Sequence, residues 1–363
     1  MTSAMREFVY ETMPGRVVFG SGTIGRVGEE VERLGCGRVL VLATPGQMEQ
    51  AEALRERLGR QAVGVFGEAQ MHTPVETTEQ AVEVARGLGA DCTVAIGGGS
   101  TIGLGKAVSL RAGLPQVVLP TTYAGSEVTP VLGETRNGRK VTVRDPAVLP
   151  RTVIYDVDLT LTLPASLTAT SGLNAMAHAV EALWAKDANP ITSLLAGQAI
   201  RAFATALPRL ASAPDDREAR AKALYGAWLA GTCLATVGMA LHHKLCHVLG
   251  GAFDLPHSET HAVVLPHVVA FNAPAAPNPM GAIAAALATS DATTGLIDLR
   301  QRLGVPGSLC ELGMPESGIE RAADLTTTDA YWNPRPITRE EAHELIAGAW
   351  AGTPPDQYSS RTA

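Results

Sequence analysis

The stretch Thr93-Val94-Ala95-Ile96-Gly97-Gly98-Gly99-Ser100-Thr101 decides the fold, because a short apolar run passes directly into glycines and then into a segment of helical composition. Four apolar residues bounded by turn signals are typical of a buried parallel strand. Three similar runs precede or follow it, separated by helical segments: 38–44, 62–66 and 116–120. This alternation predicts an α/β N-terminal domain with a parallel, Rossmann-like sheet.

The character of the sequence changes after about Leu161, where the strand signals fade. Long segments rich in alanine and leucine follow, and they predict helices at 166–184, 191–210, 217–249 and from 339 onward. We therefore expect an all-α C-terminal domain. The predicted domains are 1–160, which binds a dinucleotide, and 161–363, which is catalytic, with the active site in the cleft between them.

Composition and charge exclude several classes of protein. Hydrophobic residues make up 46% of the chain and charged residues 18%, as in a folded globular protein. The net charge of −7 argues against a nucleic-acid partner, which would select a basic surface. We find no signal peptide and no membrane-spanning run, and the five cysteines contain no CxxC pair, so we expect a cytoplasmic protein with reduced thiols.

The glycine loop has two interpretations. It is either a tight strand-to-helix turn or a cradle in which backbone N–H groups at a helix start bind a pyrophosphate. Ligands of parallel sheets bind at the carboxyl ends of the strands, which favours the second interpretation. The predicted cofactor-binding residues are Gly97, Gly98, Gly99, Ser100, Thr101, Thr121, Thr122, Ser126 and Thr44. The first strand ends at Thr44 and not at an acidic residue, so NADPH is expected to be tolerated as well as NADH.

Histidines are concentrated in one part of the chain. Six of the nine fall between residues 242 and 267, and another, His178, follows Asn174 by four residues. His243 and His247 are also four apart, so each pair shares a helix face. Histidine is both the commonest metal ligand and the side chain that exchanges protons near neutral pH. The spacing is that of a metal site, but Asn174 stands where such a site would place a carboxylate.

These features together resemble the iron-containing (group III) alcohol dehydrogenase family over essentially the whole chain. The strand–GGGS–helix unit, the TTYAGSE segment, the helical second half and the histidine spacing carry the resemblance. It implies a dehydroquinate synthase-like, iron-alcohol-dehydrogenase-like fold and, in many members, dimers. In that family an Asp and three His bind a divalent metal, and the corresponding positions here are Asn174, His178, His243 and His257. His247 matches a further active-site histidine.

Two departures from the family pattern indicate a branch. Asn174 replaces the Asp, and Gly103 stands where many members have Asp. Both are typical of the branch whose members use NADH or NADPH to reduce the carbon–carbon double bond of maleylacetate, giving 3-oxoadipate in aromatic-compound degradation. Chloromaleylacetates are possible further substrates. The alternative is a metal-dependent alcohol dehydrogenase of the same fold. A zinc-dependent relative of the dehydroquinate synthase type and an inactive binding protein stay open as well.

The substitution at Asn174 leads to an expectation about metal. An amide brings no charge and binds metal more weakly than a carboxylate, whereas a conjugated enone needs less polarisation than a simple ketone. We therefore expect no metal; if one is bound, its ligands are His178, His243 and His257. His243 and His247 are the candidates for proton donor and enolate stabiliser, with His178, His257 and Asn174 orienting a small dicarboxylate substrate.

Three further residues are candidates for substrate contact: Lys244, His242 and Tyr331. Lys244 points away from the face of His243, so a surface position is an equal alternative. His261 and His267 follow His257 along a helix and are interpreted as packing residues. The run Arg136-Asn137-Gly138-Arg139-Lys140 is interpreted as the solvated tip of a hairpin, because Asn-Gly is a hairpin signal.

Overall fold

The computed structural model describes residues 8, 10, 11, 13, 15–136 and 139–355. For residues 139 and 140 it describes the backbone and not the side chains. Backbone contacts divide this part of the chain into two compact units. The first comprises residues 15–164 and 215–224, and the second comprises 165–214 and 225–355. The segment 215–224 joins the first unit although it lies inside the second predicted domain.

The first unit is built on a parallel sheet, as the alternating pattern predicts. Its described strands are β1 (Arg16–Gly20), β2 (Val39–Leu42), β3 (Ala62–Phe66), β4 (Cys92–Gly97), β5 (Gln116–Pro120) and β8 (Thr152–Asp156). They pair in the order β1-β8-β5-β4-β2-β3, and every pairing is parallel. The helices that accompany them are α1 (Val27–Arg33), α2 (Met48–Leu58), α3 (Val75–Gly87) and α4 (Gly99–Ala112).

Both faces of this sheet are buried, which explains why its central strands are uniformly apolar. Successive side chains of a strand point to opposite faces. Val39 and Val41 accordingly belong to a core cluster with residues of α1 and α2. Leu40 and Leu42 belong to a second cluster with residues of α3 and α4. Each fully buried aliphatic side chain contributes roughly 1.5–3 kcal/mol to folding, so both clusters hold helices against the sheet.

Two strands, β1 and β8, are absent from the sequence interpretation. The strand β1 is an edge strand in which only Val18 is fully buried, so its hydrophobic signal is short. The strand β8 is fully buried, but its sequence lies among prolines close to residue 160, where the predicted first domain ends. The hairpin prediction is confirmed where it can be seen: β6 (Val131–Arg136) and β7 (Arg139–Arg144) pair antiparallel. The predicted tip residues, 137 and 138, lie outside the described residues.

The second unit contains helices and continues to residue 355. The helices described from residue 165 onward are α5 (Ala165–Leu183), α6 (Pro190–Ser212), α7 (Arg217–Thr236), α8 (Leu241–Phe253), α9 (His257–Asn272), α10 (Pro277–Leu287), α11 (Ala292–Arg302), α12 (Gly318–Thr327) and α13 (Arg339–Ala351). The helix α5 is buried along most of its length and contacts both α6 and α9.

The predicted single helix over 217–249 is wrong. The chain leaves α7 after Thr236, turns through 98° and enters α8 at Leu241. Two acidic side chains make the turn possible, because they accept the N–H groups that a broken helix leaves without partners. The carboxylate of Asp187 accepts the N–H of Gly238 at 3.0 Å. The carboxylate of Glu181 accepts the backbone N–H groups of Ala240, His242 and His243 at the start of α8.

Membrane insertion has weak support. Within the part of the chain that the structure describes, residues 277–302 pass a test of length and apolar composition for a membrane span. Those residues form two helices, α10 and α11, interrupted by Ala288 at φ 57° and by the helix-capping Asp291. Helix α10 packs against α6 and α11 against α9, although only 33% of the apolar window is buried. The helices α7 and α8 are also long and apolar enough if counted as one span, but they are bent by 98°.

Acid sensitivity follows from His267, which lies buried in α9. Burial and, to a smaller extent, the nearby charge of Arg300 together lower its pKa to about 3. The unfolded chain, with a histidine pKa near 6.5, therefore binds more protons than the folded chain below that pH. We predict that this residue costs about 1.4 kcal/mol of unfolding free energy per pH unit as the pH falls from about 6 to 4.

Urea unfolding of wild type and His267→Gln at several pH values measures this slope, which the substitution should reduce by that amount. His343→Gln is the matched control, because the side chain of His343 is 37% exposed. Equal slopes for wild type and His267→Gln would contradict the prediction.

Candidate active site

The helix α5 supplies three polar side chains to one region of the second unit. Asn174, His178 and Glu181 are spaced by four and three residues, so they share one face of the helix. All three are buried, in a helix composed otherwise of small and apolar residues. A buried polar group costs free energy unless it is partnered, so this face is built to contact other polar groups.

The helices α8 and α9 bring histidines to His178. The rings of His178 and His243 stack with their centroids 4.9 Å apart. The ring of His247 lies 6.2 Å from that of His243. On α9, the ring of His257 lies 4.5 Å from that of His261, which is itself 5.0 Å from His243. The structure therefore gathers the predicted histidines into one cluster, and it adds His261, which the sequence interpretation assigned to packing.

Glu181 is the functional residue that the sequence interpretation missed. Its carboxylate accepts the backbone N–H groups of Ala240, His242 and His243 at 3.1, 2.8 and 3.3 Å. These are the free donors at the start of α8, and a negative charge at a helix N-terminus is favourable. The same carboxylate lies 2.6 Å from Nδ1 of His243. Because a carboxylate can only accept, His243 carries its proton on Nδ1.

This contact determines what His243 can do. With the proton on Nδ1, the lone pair is on Nε2, and Nε2 is a buried atom with no hydrogen-bond partner among the described residues. A carboxylate behind an imidazole fixes the tautomer and raises the basicity of the opposite nitrogen. His243 therefore presents an aligned acceptor or ligand. A glutamate three residues after His178, in an otherwise apolar helix, is the signal that could have identified this residue.

Burial lowers the pKa of three histidines in the cluster. The pKa of His178 lies well below its ordinary value because of burial, and the neighbouring His243 contributes to the lowering. Burial likewise lowers the pKa of His242 and of His261. Neutral imidazoles bind metals and accept protons.

The predicted substrate residues have their own contacts. The ring of His242 lies between Glu181 and α9, with Nε2 2.9 Å from Nδ1 of His261. Lys244 donates to the carbonyl of Thr328 at 2.8 Å and lies 5.7 Å from the ring centroid of Tyr331. Tyr331 is 43% exposed. The contacts of Lys244 thus hold the segment after α12, and its role toward a substrate stays a prediction.

In the first unit, the glycine loop lies where the sequence places it. The helix α4 starts at Gly99, and Gly98 precedes it as the N-cap. Gly97 has φ +156°, and an added Cβ would lie 2.4 Å from Oγ1 of Thr101 and 2.6 Å from Oε1 of Gln47. Only glycine fits there. Oγ1 of Thr101 is buried without a hydrogen-bond partner in the described part of the chain, next to the N–H groups of the helix start.

Two strand ends are joined at this edge of the sheet. Oγ1 of Thr44, after β2, donates to Oε1 of Gln47 at 3.1 Å, and Nε2 of Gln47 donates to Oγ1 of Thr121, after β5, at 3.0 Å. A cavity of 420 Å³ lies beside them, and Gln47, Thr121, Thr162 and Leu163 are among its lining residues. The carboxyl ends of parallel strands are the ordinary ligand site of such sheets.

Lys106, on α4, fixes the loop that carries Ser126. Its Nζ donates to the carbonyls of Ser126, Thr129 and Val131 at 2.6, 2.8 and 2.8 Å, and it lies 3.0 Å from Oγ1 of Thr129. Burial lowers the pKa of Lys106 to about 7, whereas the charge of Glu127 raises it. The four oxygens also favour the ammonium form. This residue couples the glycine-loop helix to the loop after β5.

Each of the two units matches a known protein family. The family described as "Iron-containing alcohol dehydrogenase" matches residues 14–157, and "Fe-containing alcohol dehydrogenase family, C-terminal" matches residues 168–350. The chain belongs to the iron-containing alcohol dehydrogenase family. The predicted fold class, an α/β unit with a parallel sheet followed by a helical unit, is confirmed.

Several similar proteins within the family are named maleylacetate reductase. The chain is 54% identical to the maleylacetate reductase of Rhizobium sp. (strain MTP-10005), over 97% of this chain and all of that protein. It is 54% identical to the maleylacetate reductase of Sphingobium indicum, over 96% and 99%. The crystal structure of maleylacetate reductase from Agrobacterium tumefaciens is 56% identical, with a TM-score of 0.94 over 97% of this chain and all of that one.

Membership of this family corrects one prediction. The expectation that no metal is bound is wrong, because a match to an iron-containing family over both units indicates a bound metal. The site fits it: Oδ1 of Asn174, Nδ1 of His178 and Nε2 of His243 are buried atoms without hydrogen-bond partners among the described residues. The amide of Asn174 removes a charge but keeps an oxygen donor, and the histidines at the three remaining ligand positions are retained.

Glu181→Gln tests the role of the carboxylate. An amide can either accept from Nδ1 of His243 or donate to it, so it does not fix the proton there, and it removes the negative charge behind the ring. We predict a loss of roughly 10–100-fold in kcat or in metal affinity, with a smaller change in KM for the reduced cofactor, since that cofactor is assigned to the other unit.

Steady-state kinetics and metal analysis of the purified variant provide the measurement. Glu340→Gln is the control, because Glu340 is exposed on α13. If Glu181→Gln kept wild-type kcat and metal content, the carboxylate would have no role beyond capping α8.

Proposed function

We propose that this chain is a maleylacetate reductase, which reduces the carbon–carbon double bond of maleylacetate to 3-oxoadipate with NADH or NADPH. The observation that carries the proposal is the similarity of about 54% over nearly the full chain to proteins of that name. It is supported by Asn174, an amide in place of the family carboxylate, within the cluster of buried histidines.

The reaction needs a hydride and a proton. The hydride of the reduced nicotinamide adds to the alkene carbon β to the ketone, and the electron pair of the double bond moves into an enolate. The enolate then takes a proton at the α-carbon. Hydrogen-bond donors aligned with the enolate oxygen lower the barrier of the first step, and an acid placed at the α-carbon completes the second.

His247 is proposed for the proton transfer, because Nε2 of His243 is the atom that would bind the metal. Glu181 holds the ring of His243, with its carboxylate 2.6 Å from Nδ1. His247 is one helical turn further along α8 and can serve the same substrate face. His178, His257 and Asn174 orient the substrate carboxylates and the ketone.

A metal would be held by Asn174, His178, His243 and His257. When bound there, a divalent metal acts as a Lewis acid that polarises the ketone oxygen of the substrate. Because Nε2 of His243 would then bind the metal, His247 would deliver the proton. The alternative activity, oxidation of simple alcohols, is not favoured, because the full-length relatives share a different activity in their names.

The cofactor is proposed to bind the strand ends of the first unit. Its pyrophosphate fits the start of α4, where Gly98 and Gly99 leave the backbone N–H groups open and Ser100 and Thr101 add hydroxyl donors. Thr121, Thr122 and Ser126 follow the neighbouring strand. Because Thr44 brings no negative charge to the end of β2, a 2′-phosphate is not repelled there, and we propose use of both NADH and NADPH.

The cellular setting is part of the same proposal. We propose a cytoplasmic homodimer that takes a small dicarboxylate, acts in aromatic-compound degradation and also accepts chloromaleylacetates. Neither nucleic acid nor membrane is proposed as a partner, since the net charge is −7 and the described residues give only weak evidence of a membrane span.

The activity is tested by adding maleylacetate to the purified enzyme with NADH and following the loss of absorbance of the reduced cofactor. We expect a kcat/KM at least roughly a hundredfold above that for acetaldehyde or acetone, because those substrates lack both the conjugated alkene and the carboxylates. Product analysis should give 3-oxoadipate. Turnover of the simple carbonyls but not of maleylacetate would overturn the assignment.

Gly97→Ala tests the cofactor site. The new Cβ would lie 2.4 Å from Oγ1 of Thr101, so the loop must shift away from the pyrophosphate. We expect KM for NADH to rise roughly tenfold or more, which corresponds to at least about 1.4 kcal/mol of lost binding. Gly87→Ala is the control, because a Cβ at Gly87 meets nothing within 4 Å. An unchanged KM for NADH in Gly97→Ala would place the cofactor elsewhere.

A further inference from the structure

A second set of potential metal ligands lies beside the proposed catalytic histidines. His242, Cys246 and His261 place three ligand atoms within 4.8 Å of one another. His242 and Cys246 are one turn apart on α8, so they share a face, and His261 comes from α9. All three are at most 1% exposed. None of them belongs to the positions that the family resemblance assigns to its metal.

The distances in this set are close to those of a zinc site. Nε2 of His242 lies 3.7 Å from Sγ of Cys246 and 2.9 Å from Nδ1 of His261. In a tetrahedral site with Zn–N near 2.0 Å and Zn–S near 2.3 Å, nitrogen and sulfur are about 3.5 Å apart and two nitrogens about 3.3 Å. The two nitrogens need to separate by about 0.4 Å, and Sγ of Cys246 must lie about 3.5 Å from the ligand nitrogen of His261, from which it is at most 4.8 Å away.

Charge and anchoring also suit a cation at this place. A thiolate and Zn²⁺ together leave one positive charge, and the buried carboxylate of Glu181 is nearby. Burial and that carboxylate both raise the pKa of the Cys246 thiol, so the thiolate forms only with the metal in place. Glu181 also holds the backbone N–H of His242 at 2.8 Å, which fixes the start of the helix that carries two of the ligands. A charge-balanced, anchored donor set with two imidazoles and one thiolate prefers Zn²⁺ among the biological divalent metals.

We propose that His242, Cys246 and His261 form a second metal site that takes Zn²⁺, separate from the site of Asn174, His178, His243 and His257. Binding converts the thiol of Cys246 to a thiolate and releases its proton to solvent, with no change of oxidation state. The bound ion joins α8 to α9 directly behind His243. Because all three ligands are buried, the ion would be bound as the protein folds.

Cobalt is the probe, because thiolate ligation of Co²⁺ gives a charge-transfer absorption in the near ultraviolet that nitrogen and oxygen ligands do not give. The full chain is expressed with Co²⁺ as the supplied metal, purified, and analysed for metal content and absorption. Wild type is expected to hold two Co²⁺ per chain and to show the thiolate band. Cys246→Ser is expected to lose the band and one Co²⁺, whereas His178→Ala loses the other Co²⁺ and keeps the band.

Cys233→Ser is the matched control, since Cys233 is also a buried free thiol but lies on α7. It should keep the band and both ions. His261→Asn provides a second variant if Cys246→Ser does not fold, and it should also lose one Co²⁺. Absence of the thiolate band in wild type, or its survival in Cys246→Ser, would overturn the second site. Because no activity is measured, either result leaves the proposed reductase function standing.

Discussion

The carboxylate of Glu181 is the constraint on which the histidine cluster depends. It replaces the missing hydrogen bonds at the start of α8 and, through the contact of 2.6 Å, sets the proton of His243 on Nδ1. One buried charge thereby decides where α8 begins, which way the ring of His243 faces and which nitrogen is available. Removing a charge that is satisfied by four donors would leave several polar groups buried without partners, at a cost of about 1–3 kcal/mol for each.

The first unit is organised by comparable devices at its strand ends. Gly97 lets the backbone pass where any side chain would collide with Thr101 and Gln47. Lys106 ties the glycine-loop helix to the loop that carries Ser126 by donating to three carbonyls. In both units, then, a buried charge bonded to backbone groups of a different segment positions the residues proposed to meet a ligand. Such charges are costly to bury, and full hydrogen bonding offsets that cost.

The sequence predicts most of this fold, because the period of its apolar residues reports burial directly. The strands β2, β4 and β5 were identified from continuous apolar runs such as Val94 to Ile96, whereas the buried strand β8 was not identified. The edge strand β1 was missed because it buries little, and the turn between α7 and α8 was missed because Gly238 and its acidic partners are distant in sequence. The helical spacing of the histidines predicts that they share helix faces. The role of Glu181 could not be predicted in this way, because it arises from contacts with residues about sixty positions later in the chain.

The tautomer of His243 is the quantity on which this account rests most heavily. It can be measured by long-range ¹H–¹⁵N correlation spectra of metal-depleted, ¹⁵N-histidine-labelled protein, with the signal assigned through a His243→Asn variant. The account predicts that His243 has its proton on Nδ1 and a bare Nε2 near neutral pH, and that Glu181→Gln abolishes this preference. A proton on Nε2 in the wild type, or no change on replacing Glu181, would contradict it.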